Sequence, residues 1–251
     1  KAIFAFDNNI IVSSGSQLTY LSGNVQIKTE CVPVSVNKIW GSSGNDLYAV
    51  GNAGSIARYN GNNWNKLISG TEYYLSDIVG SNNGEVFIIG NKSSEAKGMV
   101  IKSKNGINFN TLVESETVSE SQIFKPKLNG SLTSIWLDQN NTLYVAGDFF
   151  YRYKLNKWNY VTSFPNNFIG GNYYANHFGF LTGICGNKSN DMWVIGERNT
   201  VRHFNGITWK QIGLPYDPNN DIIWLDVDVK NNIVAIVGSK GNQSAIMIIK
   251  R

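Results

Sequence analysis

The residues best suited to contact a ligand are concentrated in one segment, 164–180, which reads FPNNFIGGNYYANHFGF. Aromatic rings among Asn and Gly provide a large apolar contact area with adaptable hydrogen bonds, which suits a protein partner or a sugar stacked on a ring. The alternative is that the rings fold back as a plug that stabilises the fold. We predict the following partner-binding residues: Phe168, Tyr173, Tyr174, His177, Phe178 and, from a later segment, Tyr216.

Side chains of the kinds that catalyse reactions are few. The chain has two histidines and no HExxH or Cys/His cluster, so no zinc site is predicted. Its two cysteines, Cys31 and Cys185, cannot define a disulfide framework, and Cys185 is interpreted as a packing residue. Three carboxylates could bind a cation, but none lies in a D-x-D-x-D-G loop: Asp138, Asp226 and Asp228. The sequence therefore predicts no catalytic residue, no metal and no cofactor.

An internal repeat supplies the elements that must position these residues. Its clearest copy is 39–64, IWGSSGNDLYAVGNAGSIARYNGNNW. The separation from the first apolar column to the second is eight residues in each of six copies, and an aromatic residue recurs near the end of most copies. The first column is predicted to lie in the core and contains Ala2, Ile39, Ile78, Ile135, Ile184 and Leu225.

Each copy is predicted to form four short strands joined by tight Gly- and Asn-rich turns. Four strands in a period of about 40 residues are the signature of a β-propeller, in which stacked blades bury each other's faces. We predict an all-β, six-bladed β-propeller of four-stranded antiparallel blades in a single domain, 1–251. The sixth copy stops at its third strand. Because an open edge invites strand pairing, we expect a segment upstream of Lys1 to complete that blade, rather than a three-stranded last blade.

The motif in 39–64 resembles a repeat, VWGSS..DVYAVG..G.I.HYDG..W, of secreted or surface β-propeller proteins of bacteria. The corner between the third and fourth strands, YNGNNW at 59–64 and FNGITW at 204–209, is also similar to an Asp-box turn with Asn in place of Asp. The resemblance covers nearly the whole chain and implies an extracytoplasmic bacterial propeller.

Asp-box propellers include sialidases, which need three arginines for the substrate carboxylate. Here Arg58 and Arg152 occupy the same repeat position, where the fifth copy has His203 and the third has Ser103. A residue that recurs in this way on a third strand is predicted to pair across the sheet face. The sequence therefore lacks the carboxylate clamp of a sialidase.

The connections that break the repeat indicate where function lies, because binding residues concentrate on loops held by a rigid scaffold. They are predicted to extend from one face of the propeller: 115–131, 164–180, LPYDPNNDI from Leu214 and NKSSEAKG from Asn91.

The leading hypothesis is an exported, non-enzymatic binding or scaffold protein that holds a protein partner, such as an envelope complex, through this loop-rich face. Two alternatives stay open, a carbohydrate-binding propeller and, less favoured, a glycan-degrading enzyme. The net charge of +4 without a run of like charges argues against nucleic-acid binding, and no apolar run approaches the ~18 residues of a membrane span. The expected location is extracytoplasmic: secreted, periplasmic or on the cell surface, for example as an outer-membrane lipoprotein.

Overall fold

The computed structural model describes residues 2–116, 128–161, 180–213, 217, 219 and 221–251. The chain forms two compact units, Lys1–Ser115 and Glu116–Arg251. None of the described residues belongs to a helix long and apolar enough to cross a membrane. The assignment of 1–251 to one domain stays a prediction.

The first unit contains three four-stranded antiparallel sheets. Blade 1 consists of β1 (Ile3–Phe6), β2 (Asn9–Ser14), β3 (Gln17–Ser22) and β4 (Val25–Cys31). Blade 2 consists of β5 (Lys38–Ser43), β6 (Asp46–Val50), β7 (Ile56–Tyr59) and β8 (Trp64–Leu67). Blade 3 consists of β9 (Tyr74–Gly80), β10 (Val86–Lys92), β11 (Lys97–Ser103) and β12 (Phe109–Glu114), with a short 3-10 helix, Ser93–Glu95, between β10 and β11.

The second unit contains the remaining three sheets. Blade 4 consists of β13 (Leu132–Leu137), β14 (Leu143–Gly147), β15 (Phe150–Lys154) and β16 (Lys157–Tyr160). Blade 5 consists of β17 (Leu181–Lys188), β18 (Asp191–Gly196), β19 (Val201–Phe204) and β20 (Trp209–Gln211). Blade 6 has three strands: β21 (Ile223–Lys230), β22 (Ile233–Lys240) and β23 (Gln243–Lys250).

These sheets confirm the predicted fold, a six-bladed β-propeller whose last blade has three strands among the described residues. The second strand of blade 2 shows why neighbouring blades must stack, since successive side chains point to opposite faces. Leu47 and Ala49 join a buried cluster with blade 1, whereas Tyr48 and Val50 join a second cluster with blade 3. Such a strand has no face left for solvent.

The corner between the third and fourth strands is built around one asparagine in each of three blades. In blade 2 the Asn60 side-chain oxygen accepts the backbone N–H groups of Asn62 (3.1 Å) and Asn63 (2.9 Å). The glycine after this asparagine has φ of +92° at Gly61, a value that L side chains rarely adopt. Asn105 and Asn205 accept the equivalent pairs of N–H groups in blades 3 and 5.

The prediction that Leu225 lies in the core is wrong. A β-bulge between Trp224 and Asp226 contains this residue and leaves it 54% exposed. Val227, paired with Ile236, takes the buried position in its place. The predicted members in blades 2 to 5 are buried as expected, and Ala2 precedes β1 and is partly buried against the first cluster.

Candidate functional site

The predicted partner-binding residues lie outside the described residues: Phe168, Tyr173, Tyr174, His177, Phe178 and Tyr216. Of the aromatic segment, only Phe180 is described. Its carbonyl oxygen accepts the backbone N–H of Glu197 at 3.1 Å, so the segment ends beside the loop between β18 and β19. The choice between a binding platform and a plug stays open, and the six residues remain a prediction.

The described loops between second and third strands lie against the connections between blades. We call loop face the set of loops between second and third strands, together with the connections between blades. In the first unit, the loop between β6 and β7 lies against the connection to blade 3, since the Gly54 N–H donates to the Tyr73 carbonyl (2.8 Å) and the Leu75 N–H donates to the Gly51 carbonyl (3.1 Å). Backbone hydrogen bonds therefore fix the loop face of this unit.

The second unit builds its loop face in the same way. The Asp148 N–H donates to the Ser131 carbonyl at 3.1 Å, and the Asp148 carboxylate accepts the Ser131 N–H at 2.7 Å. In blade 5 the Asn199 N–H donates to the Ile222 carbonyl at 3.1 Å, while the Asn199 side chain accepts the Ile222 N–H at 2.7 Å. Both pairs join a loop between second and third strands to a connection between blades.

A groove of ≈ 720 Å³ opens on the loop face of the first unit. Its walls come from the β6–β7 loop, from the end of β8 with the connection that follows, and from Lys92 at the end of β10. Ile68 lies on the groove and is 87% exposed. The lining residues include Gly54, Lys66, Leu67, Ile68, Tyr73 and Lys92.

Close backbone packing joins the walls of the groove. Gly54 has φ of +65°, and a Cβ atom there would lie 1.8 Å from the Thr71 carbonyl oxygen. The Ser69 hydroxyl donates to the same oxygen at 3.1 Å. A side chain at position 54 would push the two walls apart, so glycine is the residue that this contact allows.

Charged groups surround one end of the groove. The Lys92 ammonium pairs with Glu95, which also pairs with Lys97 at 3.1 Å. The hydrogen bond from Lys92 lowers the pKa of the Glu95 carboxyl. Burial raises the pKa of Tyr73, and a hydrogen bond from its hydroxyl to Glu114 raises it further. Lys66, on the same groove, has no ion-pair partner among the described residues.

The arginines and the histidine of the repeat position belong to the sheet faces, as predicted. Arg58 pairs across β6–β7 with Tyr48, its guanidinium carbon lies 5.2 Å from the ring centroid, and its Nε donates to Asp46 at 2.8 Å. Blade 3 has Lys102, rather than the predicted Ser103, at this position, because its corner is one residue longer. In three blades a carboxylate pairs with a basic side chain that lies over an aromatic ring. These groups are Asp46, Tyr48 and Arg58 in blade 2, Glu85, Phe87 and Lys102 in blade 3, and Asp191, Trp193 and His203 in blade 5.

The set in blade 5 gathers the most groups around one carboxylate. His203 Nε2 lies 2.7 Å from an Asp191 oxygen, and its ring stacks on Trp193 with centroids 4.4 Å apart. Arg251 pairs with the same carboxylate and lies over the Trp193 ring, and Asn187 donates to it at 2.9 Å. Burial alone would raise the pKa of Asp191, but the hydrogen bonds outweigh it and lower the pKa to about 2. His203 therefore has a structural role, with its ring held between Trp193 and Asp191.

The other residues considered for chemistry have structural surroundings. Cys31 ends β4, and Cys185 packs against the buried cluster between blades 5 and 6. Burial raises the pKa of Cys185 to about 12, which disfavours a nucleophilic thiolate. Asp138 accepts the N–H groups of Asn140 and Thr142, both at 2.8 Å. The described part of the chain contains no group of three or more metal-ligating side chains.

Neither a protein family profile nor a curated protein matches the chain. Solved structures do match. YCF48 bound to a D1 peptide is 15% identical, with a TM-score of 0.66, over 99% of this chain and 76% of that one. PorZ, described as an essential bacterial surface component of the type-IX secretion system of Porphyromonas gingivalis, is 14% identical with a TM-score of 0.65; the match covers 99% of this chain and 38% of PorZ. At these identities the likeness shows the fold alone.

A third structure agrees. YCF48 from Cyanidioschyzon merolae is 12% identical with a TM-score of 0.54, over 100% of this chain and 94% of that one. All three align along essentially the whole of this chain, so the match includes every blade and not one repeat.

Sequence reasoning missed the groove on the first unit. Its connection, residues 68–73, is no longer than those of regular repeats and has no unusual composition. The one signal present was Ile68, an aliphatic residue in a polar connection just after a fourth strand. Aligning the fourth strands would have shown that it does not belong to a core column.

Proposed function

We propose that this chain is an exported, non-enzymatic binding scaffold that holds an extended segment of a partner protein on its loop face. The single observation that carries the proposal is the groove of the first unit, whose joined walls present an 87% exposed isoleucine, Ile68. Leu67, Ile68 and Tyr73 give the groove an apolar lining beside polar groups, a combination that is typical of binding sites.

The groove defines the chemistry of the segment that fits it. Leu67 and Ile68 offer apolar contact, while Lys66 offers a positive charge that no other described residue pairs. Lys92 lies on the groove as well, but Glu95 neutralises much of its charge. A segment with an aliphatic or aromatic side chain next to a carboxylate matches this surface, and a neutral sugar does not use the lysine. These features favour a protein partner over a glycan.

Proteins of the same fold support a partner-binding role outside the cytoplasm. One of the similar structures is a complex with a peptide, and another is described as a surface component of a secretion system. We therefore propose that this chain works in the extracytoplasmic space, in contact with an envelope complex. Cell fractionation with an antibody against the chain tests the location, and recovery in the cytoplasmic fraction would contradict it.

Site-specific photo-crosslinking tests the binding site. A photoreactive residue at position 68 should capture a protein partner in native envelopes, whereas the same residue at position 207 should not. Ile207 is a matched control because it is also 87% exposed, but lies in a corner between third and fourth strands.

The captured partner is then purified and titrated against two variants. Ile68→Asp should weaken its binding at least tenfold, and Ile207→Asp should leave the binding unchanged. Equal affinities for the two variants would contradict a site at the groove. Saturable binding of glycans on an array, with no protein crosslinked at position 68, would support the carbohydrate-binding alternative.

A further inference from the structure

The turn between the third and fourth strands of blade 4 combines an exposed leucine with a backbone conformation that disfavours it. Leu155 and Asn156 join β15 to β16, and both have positive φ, +50° and +59°. Two-residue turns of this kind favour Asn and Gly, because a larger L side chain approaches the following carbonyl oxygen. Leu155 is also 86% exposed. It therefore stabilises neither the turn nor the core.

A pair of lysines flanks this turn. Lys154 pairs directly with Lys157 across the two strands, and both side chains are exposed. Like charges that lie directly opposite each other in a sheet destabilise it. No described residue forms an ion pair with either lysine, and the segment that follows β16, residues 161–180, contains no Asp or Glu. The repulsion between the lysines is thus uncompensated among the described residues.

Arg152 adds a third positive charge on the same face, since residues two apart on a strand share a face. In blades 2, 3 and 5 the basic residue at this position pairs with a carboxylate two residues before the ring opposite it, from Asp46, Glu85 or Asp191. In blade 4 the ring opposite Arg152 is Tyr144, and the residue two positions earlier is the buried Thr142. Blade 4 therefore lacks the carboxylate that neutralises this position elsewhere.

The carboxylate in the turn before β14 has another role. Asp138 accepts the backbone N–H groups of Asn140 and Thr142 through Oδ1, both at 2.8 Å, and its Oδ2 is buried. Asp138 thus holds the turn and forms no ion pair with the exposed Arg152. Three positive charges therefore share one exposed face of the hairpin 152–159, which we call the blade 4 tip.

We propose that the blade 4 tip is a membrane-contact site, in which Leu155 inserts into an anionic lipid bilayer and Lys154, Lys157 and Arg152 bind the lipid phosphates. A strand rises about 3.3 Å per residue, so Arg152 lies roughly 10 Å behind Leu155. Interfacial elements bury to a comparable depth, about 5–10 Å, at the boundary of headgroups and acyl chains. The leucine therefore reaches the acyl boundary while the three cations stay at the level of the charged headgroups.

The shape and charge of the blade 4 tip favour a bilayer over other partners. Leu155 projects from a convex turn, so a folded protein would need a matching cavity, whereas lipid headgroups rearrange around a projecting side chain. An anionic glycan would use the lysines but leave the leucine in water. An anionic lipid surface attracts the basic residues, and its acyl boundary accepts the aliphatic side chain. Because one leucine buries little apolar surface, the contact is weak, reversible and dependent on lipid charge.

Co-sedimentation with vesicles tests the lipid contact. The full chain should bind vesicles of phosphatidylcholine with about 30% phosphatidylglycerol at least fivefold more tightly than vesicles of phosphatidylcholine alone. Added salt should weaken this binding, because salt screens exposed charges. Equal binding to both kinds of vesicle, or no binding to either, would overturn the proposal.

Two substitutions at the tip separate binding from folding. Leu155→Asn should weaken binding to the anionic vesicles at least fivefold without lowering the melting temperature, since asparagine tolerates the left-handed backbone. Lys157→Glu should weaken it at least as much, although it removes the repulsion with Lys154. The matched controls lie on the groove: Ile68→Asn changes a similarly exposed aliphatic residue, and Lys66→Glu makes the same change in net charge. Controls that weaken vesicle binding as much as the tip variants would place the contact elsewhere and overturn the proposal.

A photoreactive residue at position 155 identifies the occupant in native envelopes. Transfer of the label to lipid is the expected result. Transfer to protein alone would overturn the proposal and assign the tip to a protein partner. The blade 4 tip shares no residue with the groove of the first unit, so this result and the capture at position 68 can fail separately.

Discussion

Replacing Asp191 with Asn should destabilise blade 5 in a pH-dependent way. The Asp191 carboxylate contacts His203 and Arg251, and these contacts hold its pKa at about 2, below the ordinary value of 3.8. Because each unit of pKa shift corresponds to about 1.36 kcal/mol, the lowering of this pKa corresponds to about 2.4 kcal/mol of stabilisation of the folded state. The carboxylate is partly solvated, and screening by water reduces this to about 1 kcal/mol at pH 7.

The sign of the pH dependence follows from the depressed pKa. The carboxylate stabilises the folded state fully at pH values above its unfolded pKa, and the contribution is lost as the pH falls toward the folded pKa. The difference between the wild type and Asp191→Asn should therefore shrink to about half of its neutral value by pH 3.

Urea unfolding at pH 7 and pH 3 measures the difference, with hydrogen exchange in β18 and β19 to locate it. Glu72→Gln serves as the control, because Glu72 is exposed and accepts no hydrogen bond from the described residues. A difference that stays constant from pH 7 to pH 3 would refute the role assigned to the Asp191 charge.

Three further substitutions test the geometry. Gly54→Ala should lower the free energy of unfolding by about 1 kcal/mol because of the left-handed backbone, and by roughly another 1–3 kcal/mol because of the contact with Thr71. Gly23 has a similar φ but open space around it, so Gly23→Ala should show only the backbone cost in the same denaturant titration. Val234→Ala should lower the free energy of unfolding by about 2 kcal/mol and Ile233→Ala by less than about 1 kcal/mol, because only Val234 is buried. If calorimetry finds Ile233→Ala to be the more destabilising variant, the register of blade 6 is contradicted. Arg58→Ala should cost about 1 kcal/mol through the lost ion pair and ring contact, and an unchanged melting temperature would show that neither contributes.

The repeat made the fold predictable where its spacing is regular. Ile39, Ile78, Ile135 and Ile184 recur at a fixed distance before the second strand, and all four are buried. In blade 6 the buried residues of the first and second strands, Val227 and Val234, are seven positions apart, so the spacing of eight pairs Leu225 with Ile233, and both are exposed. Because side chains alternate between faces, such a slip moves a residue from the core to solvent.

The candidate site was less accessible to sequence reasoning. The Arg58 and Arg152 alignment correctly assigned these residues to a sheet face, because position within a repeat carries structural information. The groove depends instead on the contact between Gly54 and Thr71, which are 17 positions apart and belong to no repeat column. Composition drew attention to the aromatic segment, whereas the exposure of Ile68 is visible only after folding.

The asparagines at the corners between third and fourth strands have a consequence for acid tolerance. Asn60, Asn105 and Asn205 each accept two backbone N–H groups through an uncharged amide oxygen. A carboxylate in the same place would lose acceptor strength on protonation near pH 4, and the corner would loosen with it. These three corners have no such titration, so acidification should leave them closed while it weakens the carboxylate pairs on the sheet faces. A protein with these corners can lose ion pairs in acid while the third and fourth strands of these blades stay joined by their turns.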